Sequence, residues 1–394
     1  MIRIGILPQG GQQWIAGVIY IQNILRAVRF LPQEERPTMT VVFGPGSDKV
    51  SERELSHDSD GVQHYTHFAI EGRRQKMKAA VQSVFAGHWP QSFESVVKHL
   101  KLDAIFPLQV PFNNDFPCPW IGWIPDFQHK HYPEYFDAQE LQWRDENYRR
   151  LLDRAAHLVV SSHDALEDLK RWYHGRAEKI SVLPFVSVPG EEWYQGDPAT
   201  TIRKFQLPQK FLMFPSQFWT HKNHRTLFEA IQLCRGKGLE DITVVCTGQT
   251  QDYRRPEFFE SIKDFIAQHR LERNIRILGL IDRQEQIQLM RVATAVVQPS
   301  LFEGWSALVE DCRTLGKRIY VSDIAVHREQ DPPEAVFFSP LDARGLADRL
   351  AADWPKFVPG PDVNKEQRAK VIMKERALEF ARNFVSIVQA AKEK

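Results

Sequence analysis

The most constraining part of this chain is residues 293–317, because a strand, a turn and a helix follow one another there without interruption. Residues 293–297, ATAVV, have the composition of a buried parallel strand, and Pro299 ends it. Glu303 and Gly304 then turn the chain. The next apolar residues recur at helical spacing, and they are Trp305, Leu308, Val309, Cys312 and Leu315. This succession predicts an open α/β sheet.

The start of that helix has the chemistry of an anion site. Ser306 is placed to cap the helix, so the first free N–H groups point back over the turn beside Glu303. A helix N-terminus attracts phosphate oxygens, and the backbone at Gly304 allows close approach. Glu303 and Asp311 can accept hydrogen bonds from hydroxyls, so the place suits a sugar phosphate. The plainer interpretation is that Glu303 caps a turn and that Glu310 and Asp311 form a solvated helix edge.

Length and composition set the class of protein. A chain of 394 residues exceeds one ordinary core, so two domains are expected. Hydrophobic residues at 43% and charged residues at 26% are typical of a soluble globular protein. A net charge of +1 gives no reason to expect a nucleic-acid partner. The scattered cysteines are expected to be reduced and mostly buried, and they are Cys118, Cys234, Cys246 and Cys312.

The termini and hydropathy bear on location. The first residues, MIRIGILPQGG, read as a strand and not as a signal peptide, and no apolar stretch is long enough for a membrane span. We therefore expect a cytoplasmic protein. Peripheral contact with the inner membrane face stays open, because a few surface aromatic and basic residues can provide it.

The α/β rhythm runs twice along the chain. Residues 2–7 predict a first strand, with a glycine-bearing loop and a helix over 17–29 behind it. The rhythm restarts at 211–215, after a stretch rich in glycine and proline. We expect a first domain at 1–188, a linker at 189–208, a second domain at 209–365 and a terminal amphipathic helix, broken once, at 366–394. A helix is also expected over 77–85.

The motif at residues 299–317 resembles a known donor site. PSLFEGW, followed by LGK, with seven residues between Glu303 and Asp311, is similar to the donor signature of retaining family-4 glycosyltransferases of the GT-B fold. Asp311 stands where a second glutamate is usual, with Glu310 just before it. The resemblance implies that Glu303 lies near the transferred sugar and that Asp311 holds the ribose. It also implies two Rossmann-like domains facing each other across a cleft, with a C-terminal helix crossing back to the first domain.

A second matching stretch is SQFWTHKNHRTLFEAI, after the strand at 211–215. Ser216 and Gln217 stand where that family has a Gly–Arg pair, and Lys222 occupies its lysine position. The resemblance implies that Lys222 neutralises the donor diphosphate. Gln217 donates a hydrogen bond without charge, so helix ends or Arg225 would have to supplement it. The plainer interpretation of Lys222 is a surface lysine that opens a helix.

The first domain matches the family less closely. WIAGVIY resembles its first glycine loop, which places Gly17 near the donor phosphates, although a small residue at a helix start more often serves packing. In PDFQHKHYPEYF, Asp126 falls on the family aspartate, but Pro125 replaces the usual histidine. His129 or His131 could supply an imidazole nearby, or each could be an ordinary loop histidine. One His-x-His pair is a poor zinc site, so no metal is expected.

The resemblance implies a function and a set of residues. We expect a retaining, metal-independent hexosyltransferase without cofactor, which uses a GDP- or UDP-linked sugar and a sugar, glycolipid or polysaccharide acceptor. The nucleotide base is expected near Gly279, held by backbone groups. Expected catalytic residues are Glu303, Asp126, His129 and Lys222. Expected donor-binding residues are Gly17, Gln217, Lys222, Gly279, Gly304, Trp305, Ser306, Glu310 and Asp311.

Two other functions remain open at this point. A nucleotide-sugar-binding scaffold without turnover is supported by three departures from the family pattern, Pro125, Gln217 and Asp311. A sugar-nucleotide epimerase or a phosphorylase could use the same fold. A phosphorylase needs a lysine that carries pyridoxal phosphate, and no sequence context here singles one out.

Overall fold

The computed structural model describes residues 1–11, 14–68, 91–112, 115–174 and 179–393. These residues form two compact units. The first unit comprises Met1–Phe127, Asp137–Val188 and Lys374–Lys394. The second comprises Gln128–Phe136 and Pro189–Met373. Residues 189–208, expected to be a linker, lie in the second unit and contain two short helices.

Both units are built on parallel sheets. In chain order the strands of the described residues are β1 (Arg3–Ile6), β2 (Thr38–Phe43), β3 (Gly61–His64), β4 (Ala104–Leu108), β5 (Trp120–Ile124), β6 (His157–Val160), β7 (Ile180–Val182), β8 (Leu212–Pro215), β9 (Val244–Thr247), β10 (Ile275–Ile277), β11 (Ala295–Gln298), β12 (Ile319–Ser322) and β13 (Ala335–Phe338). The first sheet has the order β3-β2-β1-β4-β5-β6-β7, and the second has the order β10-β9-β8-β11-β12-β13.

Helices follow most strands. In chain order those described are α1 (Ile15–Ala27), α2 (Lys49–Asp58), α3 (Phe93–Leu100), α4 (Gln128–His131), α5 (Ala138–Arg154), α6 (His163–Trp172), α7 (Glu192–Gln195), α8 (Pro198–Lys204), α9 (His224–Gly236), α10 (Phe258–Gln268), α11 (Arg283–Val292), α12 (Ala307–Thr314), α13 (Ala325–Gln330), α14 (Ala343–Asp353) and α15 (Val363–Lys392). Short 3₁₀ turns occur at Val28–Phe30, Pro133–Tyr135, Thr220–Lys222 and Trp354–Lys356.

The strand sequences explain the sheets. The central strands are continuous apolar runs, such as WIGWI in β5, and all five residues of that strand are buried. Burial on both faces is what a parallel sheet covered by helices requires. In each unit the strand order reverses once, between β1 and β4 in the first and between β8 and β11 in the second. Ligands of open α/β sheets bind beyond the carboxyl ends of the strands at such a point.

The prediction of two parallel α/β units is confirmed, and most predicted strands and helices are present within a few residues. The terminal helix was predicted to be broken, which is wrong, because α15 runs for 30 residues without interruption. Strand β3 and helix α13 were not predicted. The helix expected over 77–85 lies outside the described residues.

Helix α15 contributes to both units. Its N-terminal part belongs to the second unit, where Glu366 forms a buried two-bond ion pair with Arg291, at 2.8 and 3.0 Å. From Lys374 onward it belongs to the first unit, where the Phe384 ring lies 5.3 Å from the Phe106 ring of β4. Packing at both ends accounts for its length better than helix propensity does.

Two further expectations concern the whole chain. All four cysteines are free and buried, as predicted. In the part of the chain that the structure describes, no helix combines the length and apolar character that crossing a bilayer requires.

Candidate functional site

Two loops meet at the carboxyl edge of the second sheet, where its strand order reverses. One follows β8 and the other follows β11. The Leu301 amide donates to the His221 carbonyl at 2.8 Å, and the Asn223 side-chain amide donates to the Pro299 carbonyl at 2.9 Å. These bonds fix the two loops against each other.

The loops bring together two residues that the sequence had singled out. Lys222 Nζ donates to both carboxylate oxygens of Glu303, at 2.7 and 2.9 Å. The Gln298 side-chain amide donates to the same carboxylate at 2.7 Å. The Glu303 residue is only 9% exposed, so this is a largely buried, multiply hydrogen-bonded charge. Lys222 is therefore not a plain surface lysine.

The charge on Glu303 is set by opposing effects. Burial raises the pKa of its carboxyl group, but the Lys222 ammonium and two hydrogen bonds outweigh burial, so the pKa lies below its ordinary value. The carboxylate is thus ionised at neutral pH. An ionised acid beside an ammonium can act as an electrostatic or hydrogen-bonding group.

His327 adds a buried ring to this network, and sequence analysis missed it. Its Nδ1 lies 2.9 Å from the Ser322 carbonyl, which can only accept, so Nδ1 carries the proton. The Ser322 hydroxyl donates to the Ser300 carbonyl at 2.6 Å. Burial lowers the pKa of His327 to about 4, so the ring is neutral at neutral pH. No local pattern marked this histidine, because helix α13 that carries it was itself not predicted.

Helix α12 begins as expected. The Ser306 hydroxyl accepts from the Val309 amide at 3.3 Å. The Gln330 side chain also stabilises this end of the helix. It accepts from the Ser306 amide at 3.1 Å and donates to the Ser306 carbonyl at 3.0 Å. At the other end, Gly316 adopts a left-handed backbone with φ of +59°, and the Lys317 amide donates to the Cys312 carbonyl at 2.8 Å. Both ends are thus defined by local chemistry.

The two acids on α12 are not a solvated edge, so that interpretation is wrong. Glu310 is fully buried and Asp311 is 2% exposed. Asp311 accepts a 2.6 Å charged hydrogen bond from Arg283, and Glu310 accepts one from Gln330 at 3.2 Å. The Arg283 guanidinium lies 5.1 Å from the Trp193 ring centroid.

Glycines shape the adjoining strand ends. At Gly248 a Cβ would lie 2.5 Å from the Ser216 carbonyl oxygen, so only glycine lets the loops after β8 and β9 touch. The Gly248 amide donates to the Gly279 carbonyl at 2.8 Å, which joins the loop after β10. Gly279 has a left-handed backbone with φ of +69°. Gly304 and Trp305 lie half-buried in the turn after β11.

Several buried polar atoms around this edge have no hydrogen-bond partner among the residues that the structure describes. They are Thr220 Oγ1, Thr247 Oγ1, Gln298 Oε1 and His327 Nε2. Burying such atoms without partners is costly. Their concentration at one edge indicates a place that accommodates polar ligand atoms or water.

Gln217 and Arg225 both follow β8 in the chain. Gln217 is half-buried in the loop after β8. Arg225 is exposed, pairs with Glu229 at 2.6 Å and lies over the Phe265 ring at 3.9 Å. Its charge is therefore engaged along α9 and α10.

In the first unit, Gly17 lies in close contact with the loop before α1. A Cβ there would lie 2.9 Å from the Gln9 carbonyl and from the Trp14 ring, so a larger residue would separate α1 from the loop before it. Asp126 follows β5, and its carbonyl accepts from the Tyr148 hydroxyl at 3.2 Å.

His129 and His131 fall in the second unit, although Asp126 belongs to the first. His129 is buried, and its ring faces that of Phe136, with centroids 6.5 Å apart. The His131 ring lies 5.0 Å from that of Phe302. No group of three or more His, Cys, Asp or Glu side chains arranged to hold a metal ion occurs within the described ranges.

The two parallel-sheet units and the long C-terminal helix define the GT-B fold, and solved structures bear this out. Anabaena HepE in complex with UDP and glucose has 15% sequence identity, a TM-score of 0.67 and coverage of 98% of this chain and 99% of its own. Sucrose-phosphate synthase from Thermosynechococcus elongatus has 14% identity, a TM-score of 0.61 and coverage of 99% and 97%. WaaG, a glycosyltransferase involved in lipopolysaccharide biosynthesis, has 13% identity, a TM-score of 0.57 and coverage of 100% and 99%.

A family model also matches part of the amino-acid sequence. Residues 200–349 match the family model of the glycosyl transferases group 1, and this range contains both loops of the candidate site. No curated protein sequence matches the chain.

Proposed function

We propose that this protein is a retaining glycosyltransferase of family 4 that moves a hexosyl group from a nucleotide-diphosphate sugar to a sugar, glycolipid or polysaccharide acceptor. One observation carries the proposal. The Lys222–Glu303 ion pair lies, largely buried, at the strand-order reversal of the second sheet, inside the range that matches the group 1 family.

In this proposal the donor diphosphate lies between Lys222 and the N-terminus of α12. Charge builds on the leaving phosphate oxygen as the glycosidic bond breaks, and a fixed ammonium stabilises that charge more in the transition state than in the substrate. Glu303 holds Lys222 in place and, as an ionised carboxylate, accepts hydrogen bonds from hydroxyls of the transferred sugar. Ser306, Gly304 and Trp305 line the same turn.

The proposed chemistry is attack on the face that the leaving group vacates. The bond from the anomeric carbon to the diphosphate oxygen breaks, and a bond to the acceptor oxygen forms. The acceptor proton passes to the departing phosphate oxygen, so no protein base is required. The protein then supplies position and electrostatic stabilisation. Asp126 and His129 remain proposed contacts to the sugars.

The rest of the nucleotide is assigned by analogy with the family. Gly279 and its turn would hold the base through backbone groups, and Asp311 would hold the ribose. Because Asp311 is already paired with Arg283, the ribose contact would involve both side chains. Gln217 and the buried Glu310 complete the proposed donor site. Uridine nucleotides should be tested first, because HepE is described in complexes with UDP and with UDP-glucose.

A ligand-binding screen followed by a turnover assay tests the proposal. Melting temperature is measured with UDP, GDP, ADP, dTDP and their sugar conjugates, with and without EDTA. A ligand that binds only the native state raises it. We expect a shift with one base, unchanged by EDTA, and donor hydrolysis or transfer with anomeric configuration retained. No shift at millimolar concentration, or an inverted product, would contradict the proposal.

A scaffold without turnover is the second candidate. It is favoured by Pro125 in place of the family histidine and by Gln217 in place of its arginine. The same screen separates the two functions. A scaffold would bind a nucleotide sugar and leave it intact over long incubation with a panel of acceptors.

A further inference from the structure

Residues Gln128–Phe136, which we name the 128–136 segment, belong to the second unit although the chain on both sides of them belongs to the first. The segment contains α4 and the 3₁₀ turn Pro133–Tyr135. It makes two separate connections, and each leads to one partner of the Lys222–Glu303 ion pair.

The first connection reaches the loop that carries Glu303. The Tyr132 hydroxyl donates to the Leu301 carbonyl at 3.3 Å. The rings of His131 and Tyr132 lie 5.0 and 6.2 Å from the ring of Phe302, which is buried. Leu301 and Phe302 immediately precede Glu303, so these contacts restrict the backbone that sets the position of its carboxylate.

The second connection reaches the turn that carries Lys222. The Gln128 side-chain oxygen accepts from the Arg254 guanidinium at 2.7 Å. Arg254 Nε lies 3.0 Å from one oxygen of Asp252, and the other oxygen accepts from the Thr220 amide at 3.4 Å. Thr220 begins the 3₁₀ turn that ends at Lys222.

The charged pair in this second connection is buried. The side chains of Arg254 and Asp252 are 6% and 2% exposed. The Arg254 guanidinium lies 4.9 Å from the Trp219 ring and 5.4 Å from the Phe136 ring. A charge held in this way has few alternative positions, because a buried charge left without its partner is strongly unfavourable.

We propose that the 128–136 segment fixes the geometry of the Lys222–Glu303 pair, with Tyr132 and Gln128 as its positioning residues. This inference rests on the proposed function, in which that pair stabilises the leaving group. A displacement on the order of 1 Å in such a pair can cost about a hundredfold in rate, so residues that hold the pair in place affect the reaction without touching the substrate.

The segment is continuous in sequence with first-unit residues at both of its ends, Phe127 and Asp137. The segment therefore belongs to the second unit by its contacts and not by its neighbours in sequence.

The test uses two conservative variants and two matched controls. Tyr132→Phe removes the hydroxyl that reaches Leu301, and Gln128→Leu removes the side-chain amide whose oxygen accepts the Arg254 bond. Tyr135→Phe removes a hydroxyl from the ring stacked on Tyr132 in the same segment. Arg255→Lys changes the exposed neighbour of Arg254, which pairs with Glu257. Full-length protein is used throughout.

Amide hydrogen exchange is measured on peptides that cover residues 299–304 and 218–223. Tyr132→Phe should speed exchange in the 299–304 peptide about fivefold, and Gln128→Leu should speed it about fivefold in the 218–223 peptide. This is the size of effect expected when one hydrogen bond is lost. The controls should leave both within twofold of the unmodified protein. Equal exchange in variants and controls would overturn the inference.

Kinetics provide the second measurement. Both variants should lower kcat about fivefold or more, with the nucleotide-sugar KM within twofold. The acidic limb of kcat against pH should lie at higher pH in both variants, because a less firmly positioned Lys222 ammonium lowers the pKa of Glu303 less. Unchanged kcat and unchanged limbs would count against the segment. If the unmodified protein neither binds nor turns over nucleotide sugars, the proposed function fails, and exchange alone still decides whether the segment fixes the two loops.

Discussion

The two sheets wind in the same way, yet the residues at their points of reversal differ in kind. In the second unit the edge holds a connected set of charges, with Lys222 on Glu303 and His327 close by. In the first unit the corresponding feature is a set of stacked, largely buried rings between α1 and β5. Trp14 stacks on Trp123 at 6.1 Å, and Trp123 stacks on Tyr20 at 4.1 Å.

The difference shows how one topology can carry a polar, charged edge in one unit and a buried aromatic stack in the other. A shared winding supplies an edge where backbone ends and side chains converge, but it does not choose the ligand. The charged edge suits an ionic ligand such as a diphosphate, whereas the Trp123 and Tyr20 rings are buried and belong to the core of the first unit.

The strongest way to break the comparison is Glu303→Gln, which keeps shape and removes charge. We expect transfer to fall on the order of 100- to 1000-fold, as when one preorganised electrostatic group is lost from an active site. The far-ultraviolet spectrum should be unchanged. Glu229→Gln, on exposed α9, is the matched control and should keep full activity. Activity above a tenth of normal in Glu303→Gln would remove that residue from the mechanism.

Lys222→Met tests the other side of the pair, with an expected loss of transfer of about 10- to 100-fold, since charged hydrogen bonds contribute about 1.5–3 kcal/mol. The pH dependence should also change. In the unmodified protein the pKa of Glu303 is lowered, so its ionised form stabilises the fold at neutral pH and this contribution is lost as pH falls through that pKa.

Without Lys222, burial is opposed less and the pKa of Glu303 rises. The acidic limb of transfer, and of melting temperature against pH, should therefore move to higher pH in Lys222→Met. Lys263→Met, an exposed lysine paired with Glu260, is the control. Superimposable acidic limbs in Lys222→Met and the unmodified protein would show that Lys222 does not determine the pKa of the Glu303 carboxyl group.

Gly17→Ala sharpens the comparison from the first unit. The added methyl would meet the Gln9 carbonyl at 2.9 Å, so we expect the free energy of unfolding to fall by about 1–3 kcal/mol. Nucleotide affinity should stay the same. Gly236→Ala is the control, since its methyl would meet no atom of the described residues within 4 Å and it should be neutral or stabilising. Denaturant unfolding measures the free energy of unfolding, and nucleotide titration measures affinity. Loss of nucleotide binding without loss of stability would instead indicate that Gly17 lies at the donor phosphates.

Gln217→Arg has the smallest expected effect. It restores the charge that the family carries at that position, and a partly exposed charge contributes up to about 1 kcal/mol. Nucleotide-diphosphate affinity should rise about three- to fivefold at low salt and return toward normal at high salt. Gln232→Arg, on α9, controls for overall charge. Equal affinities in the two variants would place Gln217 away from the diphosphate.

The sequence predicted what local chemistry determines. Apolar runs placed the strands, Ser306 and Gly316 placed the ends of α12, and a spaced motif marked Lys222 and Glu303, which the structure brings into contact. It did not predict what depends on distant contacts. His327 and Arg283 reach the site through tertiary packing, and no spacing rule connects them to Glu303 or Asp311.

The 128–136 segment shows the same limit. Its histidines were noticed, but its membership in the second unit depends on contacts with Leu301, Phe302 and Arg254, far away in sequence. The apparent solvated edge at Glu310 failed for a related reason. Its partner, Gln330, lies beyond the helix that the pattern described.

The sharing of helix α15 has a consequence for biosynthesis. Residues Pro189–Met373 of the second unit leave the ribosome before Lys374–Lys394, which the first unit needs for the contact between Phe384 and Phe106. Domains usually fold in the order of their synthesis. Here the first unit begins to be synthesised first but is completed last, because it cannot finish folding until the C-terminal part of α15 has been synthesised.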